Sequence, residues 1–229
     1  MQLSGSVTMK GESPMFHNYE LFTREWNDLL SLGIDRSYRS GDIIYLQGNK
    51  DIGLVCIQKG SVKNSSYLSN GAEKMICILD APAIIGETAV IDEGENSLTA
   101  QALTYVEAVI VSTNAAKQYM RENSNVMMMM LGIYAEKIRG VQLQAESVAL
   151  NLQQKLARML VNYHSYGMFS NAPSDGQLKI THEQLAGFLG TTRPKITNAL
   201  CQFEKSELII KKRGRIIIVD YNGLKAIYE

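Results

Sequence analysis

Apolar residues recur every seven positions along one stretch of this chain. Met127, Tyr134, Val141 and Val148 form one series, and Leu131, Ile138, Ala145 and Leu152 form a second on the adjoining position. These are interlocking d and a positions of a heptad held for nearly four repeats. Packing onto the helix's own domain alone would give a wider stripe, so the pattern predicts a parallel seam between two copies of the chain. The expected seam residues are Met127, Leu131, Tyr134, Ile138, Val141, Ala145 and Val148, on one helix over 113–150. Gly132 and Gly140 each cost such a helix roughly 1 kcal/mol relative to Ala, so association must help to hold it. The run Met127 to Met130 reads as plastic core filling.

The chain changes character on either side of that helix. Residues 1–17 are small and polar and read as a loose arm. Residues 18–32 place Phe22, Trp26, Leu29 and Leu30 at helical spacing and stop at Gly33. From 35 to about 111 the runs IIYLQ, GLVCIQ, KMICIL, LTAQAL and YVEAVIV are punctuated by glycines, which predicts an antiparallel roll or barrel. Asn70-Gly71 marks a hairpin tip, on the expectation of a turn with positive φ at both central residues. The domains expected are an arm at 1–17, a roll at 18–112, the dimer helix at 113–150 and a C-terminal unit at 151–229.

That last unit rests on local signals. Thr181 and Gln184 form a capping box, so a helix should start at His182 and bury Leu185, Phe188 and Leu189 until Gly190 turns the chain. Thr192 is placed to cap a second helix. Pro194 is tolerated in its first turn, and Ile196, Ala199, Leu200 and Phe203 give it a buried face. Arg193, Lys195, Thr197 and Asn198 are left outward near its start. Two short helices around a glycine turn make a helix-turn-helix, whose second helix enters the major groove of double-stranded DNA. KKRGRIIIV adds a basic two-stranded wing turning at Arg213-Gly214, with Lys212, Arg213 and Arg215 suited to phosphates. Arg193 is matched to guanine and Asn198 to adenine, each worth roughly 1–3 kcal/mol of discrimination, while Lys195 and Thr192 hold phosphate.

Charge supports that division. The chain is neutral overall, with 23 basic and 23 acidic residues, yet from residue 153 onward eleven Lys or Arg face six Asp or Glu. A basic half beside an acidic one points to nucleic acid. Cys56, Cys77 and Cys201 are too scattered for a disulfide framework or a cysteine-rich metal site. No apolar run reaches the roughly 18 residues of a membrane span, and no signal segment opens the chain, so a cytoplasmic protein is expected, without metal or cofactor. Enzymatic metal chemistry in a roll needs clustered His and carboxylates, and residues 35–111 contain no His.

With these motifs in order, the chain resembles the Crp/Fnr family of bacterial transcription regulators over nearly its full length. The resemblance is carried by GDIIYLQG, QKGSVK and ITHEQLAGFLGTTRPKITNAL. It implies an α+β chain with an N-terminal antiparallel β-roll like a cyclic-nucleotide-binding domain, a long dimerisation helix and a C-terminal winged helix-turn-helix. The implied function is an effector-switched activator that works as a homodimer on an inverted repeat and meets RNA polymerase. Cyclic-nucleotide members follow a Gly-Glu pair with an Arg that pairs with the cyclic phosphate. Here Gly86 and Glu87 are kept, but Asn96, Ser97 and Leu98 stand where the Arg belongs, and a phosphate loses its charge-assisted partner. The polar pair that receives adenine falls at Gly140 and Val141. The N-terminal cysteines of iron-sulfur sensors are missing, and His17, His164 and His182 supply no haem ligand pair within the roll.

A small organic effector remains. IYAEKIRG resembles the helix of chlorophenol-sensing halorespiration regulators, which implies that Tyr134 and Lys137 hold a phenolate, with Asn96, Glu87 and Gly86 beside them. Two departures are that Cys77 stands for a Tyr of that group and Glu87 for a Lys. In the heptad register Lys137 is a g residue whose partner across a parallel dimer is Gln142, and Ile133, Tyr134, Gly140 and Val141 on its own helix offer no carboxylate. Lys137 is therefore expected to stand unpaired, ready for an organic anion such as a halogenated phenolate. The alternatives are a constitutive, ligand-independent DNA-binding dimer and a cyclic-nucleotide-responsive regulator.

Overall fold

The computed structural model describes residues 22–50, 52–163 and 177–229. The arm expected over 1–17 lies outside them, as do His17 and His164. Helix α1 (Thr23–Ser31) buries Leu29 and packs Phe22, Trp26 and Leu30 onto the roll. It ends as Leu32 and Gly33 donate to the carbonyls of Leu29 and Leu30. Gly33 lies so close to the roll that a Cβ there would stand 2.7 Å from the Ile110 carbonyl oxygen.

Eight strands follow: β1 (Ile34–Tyr38), β2 (Ile43–Tyr45), β3 (Leu54–Lys59), β4 (Ser61–Tyr67), β5 (Glu73–Asp80), β6 (Ala83–Ile85), β7 (Thr99–Ala102) and β8 (Val106–Val111). They form two antiparallel four-stranded sheets, ordered β1-β8-β3-β6 and β2-β7-β4-β5. Ile44, Val55, Ile57, Val62, Ile85, Ala100 and Val106 fill a core of the roll. Short helix α2 (Glu87–Asp92) leaves β6 through Gly86, whose φ of 82° suits glycine. The β4-β5 hairpin turns at Asn70-Gly71, but only Gly71 has positive φ. Gly71 donates to Leu68 and Leu68 donates to Ala72, which is the three-residue loop ending in a left-handed glycine rather than the two-residue turn expected.

The long helix is two helices. Helix α3 (Thr113–Glu122) starts where the Ser112 hydroxyl accepts from the Ala115 amide. The chain is extended at Asn123, whose side chain accepts from the amides of Asn125 and Val126 and so opens helix α4 (Ser124–Glu146). An Asn that caps a new helix offers the backbone a better arrangement than continuation, because it satisfies otherwise orphan amides. A short 3-10 turn, Ser147–Ala149, closes α4, and Asn151 with Gln154 forms a capping box for α5 (Leu152–Val161). Leu152, the last of the heptad positions, thus belongs to the next helix. Helix α4 has two apolar faces: Val126, Met129, Met130 and Ile133 are buried on the roll, whereas Leu131, Ile138 and Val141, followed by Val148 in the 3-10 turn, are 54–75% exposed in the single chain.

The C-terminal unit holds β9 (Gln177–Leu178), α6 (His182–Leu189), α7 (Arg193–Lys205), β10 (Ile209–Lys212), β11 (Arg215–Ile218) and α8 (Tyr221–Lys225). Its sheet runs β10-β11-β9. Leu156, Leu160, Leu185, Phe188, Ile196, Leu200, Phe203 and Ile216 form its core, which Met75 and Ile78 of β5 join from the roll.

Candidate functional site

Helix α6 begins at His182 with both halves of the Thr181-Gln184 capping box formed, and Gly190 closes it in the left-handed conformation. Thr192 takes the N-cap position of α7, but its side chain makes no capping bond and Pro194 fills the first turn instead. Arg193, Lys195 and Asn198 are exposed along the start of α7. Thr197 is partly buried and already engaged: its hydroxyl donates to the Arg193 carbonyl at 3.0 Å and lies 2.9 Å from His182 Nδ1. It fixes the first turn of α7 rather than standing free for a base. Strands β10 and β11 turn at Arg213-Gly214, leaving Lys212, Arg213 and Arg215 exposed. Lys211 faces inward to Glu204 and Cys201, each at 3.0 Å. The outcome is a row of cations on the second helix of a helix-turn-helix and on a wing beside it, the geometry for reading a groove while holding its phosphates.

A second site lies between the roll and α4. A cavity of about 550 Å³ is lined by Asn64, Ile76, Cys77, Glu87, Thr88, Leu98, Tyr134, Lys137, Ile138, Gly140, Val141, Gln142 and Gln144. Its size lies within the range of small-molecule sites. Of the residues expected there, Glu87, Tyr134 and Lys137 line it and two do not. Asn96 is buried and its amide donates to the carbonyls of Asn49 and Lys50, so it holds the roll's own backbone. Gly86 caps α2, with its backbone bonded to buried Tyr45.

The unpaired Lys137 expected from helical neighbours is also overturned. Its ammonium donates to Glu87 Oε1 at 2.7 Å and to the Ile84 carbonyl at 3.0 Å. Glu87 is 5% exposed, so the pair is drawn from the N-terminus of α2 and the middle of α4, fifty residues apart, where no helix register could show it. Burial, and then the Glu87 carboxylate, push the Tyr134 hydroxyl up to about 12. Burial pushes the Cys77 thiol up to about 11. Both therefore stay neutral near pH 7. Sequence reasoning missed the contributions of Ile76, Gln142 and Gln144, although Gln142 and Gln144 flank the heptad positions on α4.

Strand β5 connects the two sites. Ile76 and Cys77 line the cavity, whereas Met75 and Ile78 lie in the C-terminal core. Lys74 donates to the Phe188 carbonyl in the last turn of α6 at 2.5 Å, a cation at the negative end of the helix. Gln144, on the cavity wall, donates to the Ile76 carbonyl at 2.9 Å.

Two family models match these two halves: the cyclic nucleotide-binding domain over residues 35–123 and the Crp-like helix-turn-helix domain over residues 154–227. The chain belongs to the Crp/Fnr family of transcription regulators. Its homologues in this family are regulators of transcription, not enzymes. The cAMP-activated global transcriptional regulator CRP of Escherichia coli O6:H1 is 28% identical over 86% of this chain and 93% of its own length. Among solved structures, a CooA mutant from Carboxydothermus hydrogenoformans superimposes with a TM-score of 0.76 at 17% identity, covering 93% of this chain and 95% of that one. A Cys-to-Ser variant of CprK complexed with OCPA superimposes with a TM-score of 0.69 at 15% identity, covering 88% of this chain and 92% of that one. These likenesses establish the fold: roll, long helical connection and winged helix-turn-helix unit. No helix among the described residues is long and apolar enough to cross a membrane.

Proposed function

We propose that this family member is a cytoplasmic homodimer that reads an inverted-repeat DNA site when a small, largely apolar organic molecule occupies the cavity between roll and α4. The supporting observation is the dual contact of β5, which lines the cavity with Ile76 and Cys77 and enters the DNA-reading core with Met75 and Ile78. A ligand pressing on one side of that strand acts on the other, a coupling typically worth about 1–3 kcal/mol. Leu131, Ile138, Val141 and Val148 offer the apolar stripe for the partner helix, and DNA contact falls to Thr192, Arg193, Lys195, Asn198, Lys212, Arg213 and Arg215. RNA polymerase is the proposed partner at the promoter.

The Lys137-Glu87 pair sharpens the effector class. A halogenated phenolate would have to take Lys137 from Glu87 and sit against a buried carboxylate, a like-charge contact. A halogenated phenol that keeps its proton, or another uncharged molecule of that size, meets an apolar wall and a charge pair already balanced. Cyclic AMP, which activates the E. coli relative by its name, would find no guanidinium among the described residues, of which Glu87 and Lys137 are the charged ones lining the cavity. Isothermal titration with cyclic AMP and with a dichlorophenol on either side of its own pKa tests this. The expected result is binding of the protonated phenol, weakening as it ionises, and no heat from cyclic AMP. Tighter binding of the ionised phenol, or binding of cyclic AMP, would contradict it.

A further inference from the structure

We propose that His182 is a DNA-backbone contact and that making it takes up one proton, so that the chain holds DNA more tightly at mildly acidic than at mildly alkaline pH. Hydrogen-bond direction fixes the tautomer of His182. Thr197 has one hydroxyl proton and gives it to the Arg193 carbonyl. The same oxygen, 2.9 Å from His182 Nδ1, must therefore accept, which places the imidazole proton on Nδ1. Nε2 is then a bare acceptor, with no hydrogen-bond partner among the described residues.

Position supplies the second step. His182 is the first residue of α6, and in a helix-turn-helix the first helix crosses the phosphate backbone while the second enters the groove. Its bond to Thr197 sets it beside the N-terminal turn of α7, where Arg193 and Lys195 project. A neutral imidazole and a phosphate oxygen would meet there as two acceptors. Adding a proton to Nε2 turns the contact into a charge-assisted donor bond.

The surroundings keep that proton off until DNA arrives. Arg193 and Thr197 face His182 from α7 and Lys211 faces it from β10, with Glu204 and Cys201 bonded to Lys211. Glu183 is the acidic neighbour in the first turn of its own helix. Partial burial, then Lys211 and Arg193, hold the His182 pKa below the ordinary histidine value. A phosphate at the Arg193 end offsets those cations and raises it. A pKa higher in the complex than in the free protein means that affinity is gained as pH falls and lost as pH rises through the bound-state value.

The test uses the full-length protein and a random-sequence duplex at low salt, where phosphate contacts dominate, so it does not depend on the effector. Fluorescence anisotropy is read across roughly pH 6 to 8, the histidine range. Wild type should weaken by up to about tenfold per pH unit over part of that range, and its salt slope should be steeper by about 0.9 at the acidic end. His182→Gln keeps a neutral donor for Thr197 and should give a flat profile that meets wild type at the alkaline end. His182→Arg should be flat at the tight end. A His17→Gln, His164→Gln double variant should retain the wild-type slope. A flat wild-type profile, or a wild-type slope surviving in His182→Gln, would overturn the proposal. The second result, with weaker binding at every pH, would make His182 a purely structural brace.

Discussion

The proposed DNA-reading face and the proposed effector cavity handle charge in opposite ways. On α7 and the wing, Arg193, Lys195, Lys212 and Arg213 are exposed, with no ion pair among the described residues, as a face proposed to meet phosphates and base edges requires. In the cavity the cation Lys137 is held by the buried carboxylate of Glu87 and by a backbone carbonyl. A surface that must attract a polyanion keeps its charge unspent, whereas a cavity walled by Ile76, Leu98, Ile138 and Val141 balances its charge internally. Affinity at the first site should therefore depend on salt, and binding at the second should depend on the ligand's fit and protonation.

The largest effect is expected from removing the proposed dimer, which would place two reading faces on one DNA. Ile138→Glu with Val141→Glu should give monomers by sedimentation. Specific binding should collapse toward the non-specific level, about a thousandfold or more. A double variant that still sediments as a dimer would move the interface elsewhere. Next in size, Glu87→Gln leaves Lys137 partly buried without its counter-charge. Removing one member of a buried pair costs about 3–5 kcal/mol, and because the Lys137 side chain is still 24% exposed, a loss of about 2 kcal/mol in chemical denaturation is expected. Adding Lys137→Met should recover most of it. No loss in the single variant would mean that the pair is not a structural element of the cavity.

On the reading face, Arg193→Ala should cost about 1–3 kcal/mol and relax one base position, while Lys212→Ala should weaken all sequences alike and flatten the salt slope by about 0.9. A selection from random duplexes followed by salt titrations separates the two. The smallest effect concerns Glu136 on α4, whose carboxyl burial pushes up to about 7. A carboxyl raised on folding contributes stability below its unfolded value near 4.5 and loses it as pH rises toward 7. Glu136→Gln should thus raise Tm at pH 8 and not at pH 4, by the few degrees that about 1 kcal/mol gives a chain of this size. Equal shifts at both pH values would remove the titration as the cause.

How well each region could be read from sequence follows the same division. The reading unit is built from contacts a few residues apart: the Thr181-Gln184 box, the Gly190 turn, Pro194 in the first turn of α7 and the Arg213-Gly214 tip. Each falls where the local pattern puts it. The heptad count found apolar positions that are exposed in the single chain, but it missed the break at Asn123, because a capping side chain acts over two or three residues that heptad counting does not weigh. The cavity depends on contacts between distant segments. Glu87 meets Lys137 across fifty residues, and Asn96, placed by resemblance beside the effector, instead ties down Asn49 and Lys50. Thr197 looked free for DNA because its helical position is outward, yet His182 and the Arg193 carbonyl occupy its hydroxyl.

The central claim is that occupancy of the roll-α4 cavity sets DNA affinity. Its most direct test is an anisotropy titration of a selected inverted-repeat duplex. It compares protein stripped of small molecules with the same protein given back the small-molecule fraction released from its native source. The account predicts an affinity difference of at least about fivefold, the low end of a typical coupling, that disappears when Gly140→Leu fills the cavity. Identical affinities with and without that fraction in the wild-type protein would contradict it and leave a constitutive DNA-binding dimer.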